Sequence, residues 1–293
     1  IYSVATYGWI NGICNDINIF WNVNNIGMYT GINYPEKELD GFINKEIYKM
    51  IRIIAIIIIV ISDISAQSGF EIATMVDKRE VPKDIISKTT MLLTNSKDKT
   101  RTSTIFSKSS DNGSKQILWF LSPADDKGVA FLKIEHDNKS DEMRMWLPAF
   151  KKVRRISSSK KGDSFMGSDL SYEDMTSRDL EENSYRRLED DVLDGNNCFV
   201  IEVLPNADIK STYSKHITWI DMKSLIAVQE ESYDLSGQLR KKKKFFFDSI
   251  SGYDVINKIF VKDVQKNHTT TLTMEDIKVD TGLDHSLFRK KIK

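Results

Sequence analysis

The sequence predicts a mainly β protein, with one large antiparallel sheet or open barrel and few helices. Short β-rich runs separated by turn-forming residues occupy residues 85–136 and recur between 198 and 279. No helix of useful length separates consecutive runs within either series, so neighbours along the chain should pair antiparallel. The chain has 293 residues, 40% of them hydrophobic, which is enough for one sizeable core.

Hydrophobic spacing and turn residues predict the individual elements. Apolar residues from Phe70 to Val76 recur at helical spacing and predict one helix over 69–80. The segment 157–194 has poor strand propensity and should hold short helices. Alternating apolar runs bounded by turn formers predict about ten strands. These strands span 85–94, 101–108, 115–121, 128–136, 198–205, 214–221, 225–234, 239–250, 255–265 and 269–279.

A sheet of about ten strands should not stay flat, because strands twist and large open sheets curl. Its concave face must be filled by side chains, covered by helices, or left as a ligand cavity. One N-terminal helix and one short helical segment are few elements to cover it. This count is compatible with an apolar-lined cavity and equally with a filled barrel.

Two basic runs occur, although 42 basic and 42 acidic residues give the chain zero net charge. Zero net charge argues against an obligate polyanion binder. In the run 240–250, RKKKKFFFDSI, alternate lysines face opposite sides of a strand, so we expect a solvated or edge strand. Attraction to an acidic partner or to anionic headgroups is the alternative.

Residues 49–67 have the pattern of a secretory signal peptide. Two basic residues precede nine apolar residues, 53–61, and small residues follow up to Ala66. Nine helical residues span about 14 Å, roughly half of a bilayer core, so a transmembrane anchor is the weaker alternative. We expect Met50 to be the start of the protein and cleavage near Ala66 to make Gln67 the first mature residue.

Residues 1–49 are crowded with Ile, Asn and Tyr, a mixture that AT-rich DNA encodes when it is read through. Because a signal peptide works only at an N-terminus, we interpret them as a non-native translated upstream segment; a genuine extension is the alternative. The expected organisation is 1–49 upstream segment, 50–66 signal peptide and 67–293 one domain. Of the two cysteines, the mature chain then keeps Cys198, in an apolar run that predicts a buried free thiol.

Several short motifs have catalytic meaning elsewhere, but each lacks its partners here. Residues 157–160, SSSK, and 110–112, SDN, match two penicillin-recognising signatures, in the reverse order and without a KTG. The DTG at 280–282 has no second copy in the mature chain with which to share a proton. The four histidines have no metal-ligand spacing. We therefore expect no enzyme activity, no metal and no cofactor.

Four stretches of the sequence resemble one known family. They read FLSPADDKGVAFL (120–132), MWLPAFKKVRRISSSKKGDSFMGSDLSYEDMTSRDL (145–180), YSKHITWID (213–221) and GLDHSLF (282–288). Together they resemble the outer-membrane lipoprotein-sorting protein family, periplasmic proteins similar to the lipoprotein carrier LolA. The similarity extends from residue 69 to residue 288, and residues 1–49 have no counterpart in it.

The resemblance implies a LolA-like, half-open antiparallel β-barrel of about ten or eleven strands, with a helical lid over an apolar cavity. It also implies a periplasmic, non-enzymatic carrier that binds lipid or lipoprotein acyl chains and passes them towards the outer membrane. A resistance-nodulation-division type inner-membrane exporter or an outer-membrane acceptor is the implied partner. We expect a monomer that does not bind nucleic acid. The alternative is an accessory subunit of such an exporter, with no lipid cargo of its own.

The candidate site residues lie in or next to the matched stretches, although ordinary core or loop packing is the alternative for each apolar one. Candidates for the lipid cavity are Trp119, Leu121, Phe131, Trp146, Leu147 and Phe150. Candidates for the lid, with glycines as hinges and an adaptable apolar surface, are Gly162, Phe165, Met166, Gly167, Leu170, Tyr172 and Met175. Residues 145–156 read as one strand with an apolar and a cationic side. Its candidates for docking a headgroup or a partner are Lys151, Lys152, Arg154 and Arg155.

Overall fold

The computed structural model of the protein describes residues 19–21, 28–30, 67–136, 139–289 and 292. The chain forms two compact units, 1–66 and 67–293. In the first unit, β1 (Ile19–Trp21) pairs antiparallel with β2 (Met28–Thr30). The predicted signal peptide, 50–66, lies outside the described residues. No helix in the described part of the chain is long and apolar enough to cross a membrane.

The second unit is built on one antiparallel sheet of 14 strands, preceded by the helix α1 (Gly69–Asp77). The prediction of a mainly β, antiparallel fold is confirmed. The strands pair in the order β10-β11-β12-β13-β14-β15-β16-β3-β4-β5-β6-β7-β8, and β9 pairs with a different part of β11 from β10. They are β3 (Asp84–Thr94), β4 (Thr100–Ser110), β5 (Lys115–Ser122), β6 (Ala130–Ile134), β7 (Glu142–Leu147), β8 (Lys152–Ile156), β9 (Asn183–Arg187), β10 (Asp191–Leu193), β11 (Asn196–Pro205), β12 (Tyr213–Asp221), β13 (Ala227–Asp234), β14 (Leu239–Ile250), β15 (Tyr253–Asp263) and β16 (His268–Val279).

Four short strands, β7 to β10, bring the count above the ten or eleven strands expected. Residues 145–156 are not one strand, because Pro148–Phe150 form a 3-10 turn and Lys151 adopts a left-handed φ of 47°. The chain therefore reverses there and makes the β7–β8 hairpin. β9 and β10 lie within 157–194, where strand propensity is poor. These two strands form because they pair with β11, and not because their residues favour a strand.

The helix α1 begins at a capping box and packs through one face onto the sheet. Ser68 Oγ accepts the backbone N–H of Glu71, and the Glu71 carboxylate accepts the backbone N–H of Ser68. The helix ends at Asp77 rather than at residue 80. Ile72 is fully buried in a cluster with residues of β11 and β12. The helix α1 therefore covers the end of the sheet formed by β10 to β12, and β8 lies at the other end of the strand order.

The sheet is strongly curved around residues 157–182, which we call the central segment. The Met175 carbonyl accepts a hydrogen bond from Lys133 Nζ of β6 (2.7 Å), while Arg178 pairs with Glu230 of β13 (2.8 Å). β6 and β13 are seven strand spacings apart, about 34 Å in a flat sheet. Since residues three apart in sequence reach both strands, the sheet must wrap around the central segment.

Side-chain alternation in β5 and β6 places a hydrophobic core on each face of the sheet. Leu118 and Phe131 point to the concave face, towards the central segment. Ile117 and Leu132 point to the convex face, where they pack against Phe288 near the end of the described chain. The concave core consists of Met91, Leu93, Ile105, Leu118, Phe120, Val129, Phe131, Met143, Met145, Ile156, Phe165 and Tyr172.

Candidate functional site

A cavity of about 460 Å³ lies between the concave face and the central segment. Its volume falls within the range of small-molecule pockets, about 300–1,000 Å³. Its walls come from β3 to β6, from β13 to β16 and from the central segment, so it spans the middle of the sheet. The apolar lining includes Met91, Ile105, Leu118, Phe165, Leu170 and Leu272.

The candidate lid residues lie together in the central segment. Phe165, Leu170 and Met175 line the cavity directly. Tyr172 belongs to the concave core, and Met166 packs against that core. The lid candidates are therefore divided between the cavity wall and the packing that holds the segment on the sheet.

At two positions of the central segment, the local structure explains why the residue is glycine. Gly167 adopts a left-handed φ of 79°, directly after Met166 at 50°, and this conformation favours glycine. A Cβ atom at Gly162 would lie 2.6 Å from Thr212 Cγ2, which is closer than real Cβ contacts. The first glycine permits a tight turn and the second permits close packing.

Helical structure in the central segment consists of short 3-10 turns. They are Ser158–Lys160, Glu173–Met175 and Leu180–Glu182. Turns of this length stabilise themselves poorly, so tertiary contacts must fix the segment.

Aromatic packing supplies one such contact. The Phe165 ring centroid lies 5.1 Å from that of Phe131, 5.9 Å from Tyr172 and 6.2 Å from Phe120. Only 3% of Phe165 is exposed. These offset and edge-on arrangements are the favourable ones for aromatic rings, so the loop is anchored to β5 and β6.

None of the six residues predicted to line the lipid cavity is among the described residues of the cavity wall. Phe131 is fully buried in the concave core, and Leu147 packs against that core. Trp119 and Trp146 pack against the convex core, because alternation turns them away from their neighbours on β5 and β7. The family motifs identified the strands, but a strand run gives no indication of which residues reach a ligand.

The remaining candidates lie on the surface. Leu121 is 47% exposed and Phe150 is 70% exposed. The docking candidates are exposed on or beside β8, an end strand of the sheet, and none of them forms an ion pair with another described residue. These four are Lys151, Lys152, Arg154 and Arg155.

Asp174 is the centre of a buried charge cluster that the sequence did not predict. Its carboxylate accepts hydrogen bonds from Lys241 Nζ (2.6 Å), from Lys243 Nζ, and from Tyr213 Oη (2.9 Å). The side chains of Asp174 and Lys241 are only 1% and 3% exposed. A salt bridge therefore ties the central segment to β14.

The cluster corrects the expectation of a solvated or edge strand at 240–250. β14 pairs with β13 on one side and β15 on the other, so it is an interior strand of the sheet. Lys241 and Lys243 face inward and are buried, while Lys242 and Lys244 face outward. Alternation puts two of the four lysines on the inward face. That they find carboxylate partners depends on Asp174 of the central segment and Glu230 of β13, which the sequence pattern did not bring together with them.

Electrostatics keep the cluster charged despite burial. Burial by itself would raise the pKa of the Asp174 carboxyl, but Lys243 and Lys241 outweigh this, and the pKa lies below its usual range. Burial likewise opposes ionisation of Glu230, but Arg178 and Lys243 hold its pKa well below the usual range. Three cationic groups thus surround two carboxylates at one wall of the cavity.

Comparison with known proteins places this fold in a family. A family model described as "Uncharacterized protein" matches residues 112–292, more than half of the chain. A domain assigned to outer-membrane lipoprotein sorting, from Vibrio parahaemolyticus, is 32% identical, with a TM-score of 0.72. That match covers 76% of this chain and 97% of the Vibrio domain. The chain belongs to the outer-membrane lipoprotein-sorting protein family. The resemblance seen in the sequence motifs is confirmed.

Two further structures share the sorting-family fold. A DUF1329 family protein from Desulfovibrio piger is 28% identical, with a TM-score of 0.71, over 75% of this chain and 95% of that one. A LolA superfamily protein from Nitrosomonas europaea is 19% identical, with a TM-score of 0.61, over 77% of this chain and 99% of that one. The second similarity concerns the fold alone. No curated protein sequence matches the chain significantly.

Proposed function

We propose that this sorting-family protein is a periplasmic carrier of lipid or lipoprotein acyl chains, which it passes towards the outer membrane without catalysing a reaction on them. The observation that carries the proposal is the apolar-lined cavity of about 460 Å³ under the central segment. Each buried CH₂ of an acyl chain contributes about 0.8 kcal/mol, so even part of a chain would be held usefully.

The carrier role also requires a route for release. β8 and β10, the end strands of the sheet, are not paired with each other. We propose that the sheet acts as a half-open barrel and that the central segment is its lid, opening without loss of strand pairing. The exposed Phe150 and the cations beside it would then contact the membrane partner, an exporter of the resistance-nodulation-division type or an outer-membrane acceptor.

Native mass spectrometry of the full chain, purified from a bacterial host, tests the carrier role. Reproducible adducts with the masses of acyl lipids are expected, together with saturable binding of a fluorescent fatty acid. A protein free of adducts that also fails to bind the fatty acid would contradict the carrier. That outcome would favour the alternative, an accessory subunit of such an exporter with no lipid cargo of its own.

The SSSK motif does not have the geometry of an activated serine nucleophile. Ser157 Oγ lies 2.9 Å from Ser159 Oγ, and Lys160 Nζ pairs with Asp163 at 3.4 Å. Nucleophilic catalysis needs a serine within hydrogen-bond reach of its base, and neither contact provides that arrangement. We expect the Ser157→Ala variant to bind lipid as the unmodified protein does. We also expect the two proteins not to differ in ester hydrolysis. An esterase activity lost in this variant would overturn the proposal.

A further inference from the structure

Half of the turns between strands lie together at one end of the sheet. Neighbouring strands are antiparallel, so successive turns alternate between the two ends. We call the end that carries the β7–β8 turn the Phe150 rim. Its turns are 95–99, 123–129, 148–151, 206–212, 235–238 and 264–267.

The two most exposed large apolar side chains of the described residues lie on the Phe150 rim. Leu235, in the turn between β13 and β14, is 72% exposed, and Phe150 is 70% exposed. Leu92, Leu121 and Val153 are also exposed and lie beside turns of the same rim. Exposed apolar side chains that are concentrated in one region mark an interaction surface, whereas single scattered ones do not.

Cations accompany these apolar side chains. Lys151 and Lys152 directly follow Phe150, and Arg154 lies on the same end strand of the sheet. All three are exposed, and none forms an ion pair with another described residue. A surface that is both apolar and cationic, with its cations unpaired, is complementary to a bilayer with anionic headgroups.

Charge also differs between the two ends of the sheet. In the turns of the Phe150 rim, basic residues outnumber acidic ones. In the turns at the opposite end, which follow β4, β6, β10, β12 and β14, acidic residues outnumber basic ones. The chain has zero net charge, but its charge is thus polarised along the strands. Such a distribution orients the protein on a negative surface with the Phe150 rim towards it.

The central segment reaches the same rim. Asp169 of this segment accepts a hydrogen bond from Thr270 Oγ1 (2.7 Å), and its Oδ2 lies 2.8 Å from His268 Nδ1. Both partners are at the start of β16, which follows a turn of the Phe150 rim. Phe165 and Leu170, on either side of Asp169, line the cavity. A surface bound to this rim therefore lies next to the segment that covers the cavity.

We propose that the Phe150 rim docks on a lipid bilayer that contains anionic phospholipids. Phe150 and Leu235 enter the headgroup region, and the lysines beside Phe150 contact lipid phosphates. Six strands separate the β7–β8 and β13–β14 hairpins in the sheet, so the exposed apolar residues are spread along the rim. A flat bilayer fits this spread better than a protein partner, whose binding energy is concentrated in a central cluster.

The docking surface rests on the proposed carrier function for its purpose and refines it. The proposed function assigns the hairpin at Phe150 to a membrane partner. The Phe150 rim adds the lipid surface on which the carrier meets that partner, and it places the proposed lid beside the bilayer.

Hydrogen–deuterium exchange of the full chain with protein-free vesicles locates the contact. The vesicles contain phosphatidylglycerol and phosphatidylcholine in a molar ratio of about 3:7, or phosphatidylcholine alone. With the anionic vesicles we expect slower exchange in the turns 148–151 and 235–238, and no change in the opposite turn 194–195. Because exchange is resolved along the chain, membrane binding by other residues does not obscure the result.

Co-sedimentation with the same vesicles measures the strength of docking. The unmodified chain should bind anionic vesicles at least about tenfold more strongly than neutral ones, and added salt should reduce this difference. Phe150→Ser and Leu235→Ser should each weaken binding to anionic vesicles at least about fivefold, because each removes an apolar side chain from the bilayer. Val192→Ser is the matched control and should bind as the unmodified chain does. Val192 is 62% exposed, but it lies on β10, beside a turn at the opposite end.

A separate variant tests the cations. Replacing Lys151 and Lys152 together with glutamine should reduce the preference for anionic vesicles to less than about threefold. Lys223→Gln is the control, because Lys223 is an exposed lysine in the turn after β12, at the opposite end. All variants keep residues 1–66, so differences between them report on the rim.

Several outcomes would overturn the docking surface. These are unchanged exchange in both turns, equal binding to anionic and neutral vesicles, or a loss in Val192→Ser as large as in Phe150→Ser. Protection that appears only with vesicles carrying membrane proteins shows a protein receptor and also overturns it.

Fatty-acid binding separates docking from the carrier function, since neither Phe150 nor Leu235 lines the cavity. Fatty-acid binding without docking overturns the docking surface and leaves the carrier intact. Docking without fatty-acid binding or acyl-lipid adducts keeps the docking surface and contradicts the carrier.

Discussion

Asp174 links the central segment to the sheet through a single carboxylate. Lys241, Lys243 and Tyr213 all donate to it, and each donor comes from a strand far away in sequence. Without Asp174, the buried Lys241 would lose its carboxylate partner and the buried Lys243 would keep only Glu230. The residue therefore fixes the position of the central segment on the sheet and neutralises charge beside the cavity.

Asp174→Asn should destabilise the protein by about 3–5 kcal/mol, because it removes one partner of a buried ion pair and leaves the other. Equilibrium unfolding in urea measures the change. Lys242→Met is the control. Lys242 lies on β14 between Lys241 and Lys243, is half-exposed, and pairs through its Nζ with Glu231. That variant should change stability by less than about 1 kcal/mol. Similar losses in both variants would contradict the assigned role of Asp174.

Stability should also fall in acid because of the same cluster. Both Asp174 and Glu230 have folded-state pKa values below those of ordinary carboxyls, which titrate near 4. A lowered pKa contributes stability above the unfolded value and loses it as the pH falls, by up to about 1.4 kcal/mol per pH unit and group. Urea midpoints should therefore drop below about pH 5. Asp174→Asn should show a shallower decline; parallel curves would be inconsistent with this origin.

At the scale of elements, α1 is placed by a glycine in its first turn. A Cβ atom at Gly69 would lie 2.8 Å from the backbone N of Arg187 and 2.9 Å from the carbonyl carbon of Arg186, both on β9. Backbone atoms of a paired strand cannot move aside easily. The contact therefore sets how closely the helix approaches the sheet.

Gly69→Ala should destabilise the unit by about 1–3 kcal/mol, as overpacked sites do. The sign of the change in unfolding free energy tests the contact, because replacing glycine with alanine in a free helix stabilises it by up to about 1 kcal/mol. Thermal unfolding measures the change. Ser68→Ala, which removes only the cap, should cost about 1 kcal/mol and serves as the reference. A stabilised Gly69→Ala would show that α1 is free to shift on β9.

At the scale of the whole molecule, the predicted signal peptide implies export, and this can be tested directly. When a chain that starts at Met50 is exported in a bacterial host, we expect cleavage between Ala66 and Gln67. N-terminal sequencing of the periplasmic product checks this. A product that keeps the apolar run and fractionates with membranes would favour the anchor instead. The described chain from residue 67 onward begins directly with the capped helix, so cleavage there removes none of the sheet.

The sequence alone determined the fold class and the family. In residues 85–136 and 198–279, alternating apolar and polar residues predict strands that bury one face. This pattern depends only on local spacing along the chain. The four motif stretches carried the family, and loop residues such as Phe165 and Leu170 were found because they belong to the longest of them. The number of strands was underestimated for two reasons: residues 145–156 lie in the β7–β8 hairpin instead of one strand, and β9 and β10 form through pairing rather than propensity.

Tertiary structure alone decided which residues meet in the cavity. Trp119 and Phe131 both lie in apolar strand runs, and only the curvature and pairing of the sheet put one outside and the other inside. Lys243 reads as a solvated residue in a basic run, yet it is buried because Asp174, 69 residues earlier, reaches it. Spacing along a chain specifies neighbours within an element, whereas a cavity is made by residues from distant elements, whose meeting depends on how the whole sheet wraps.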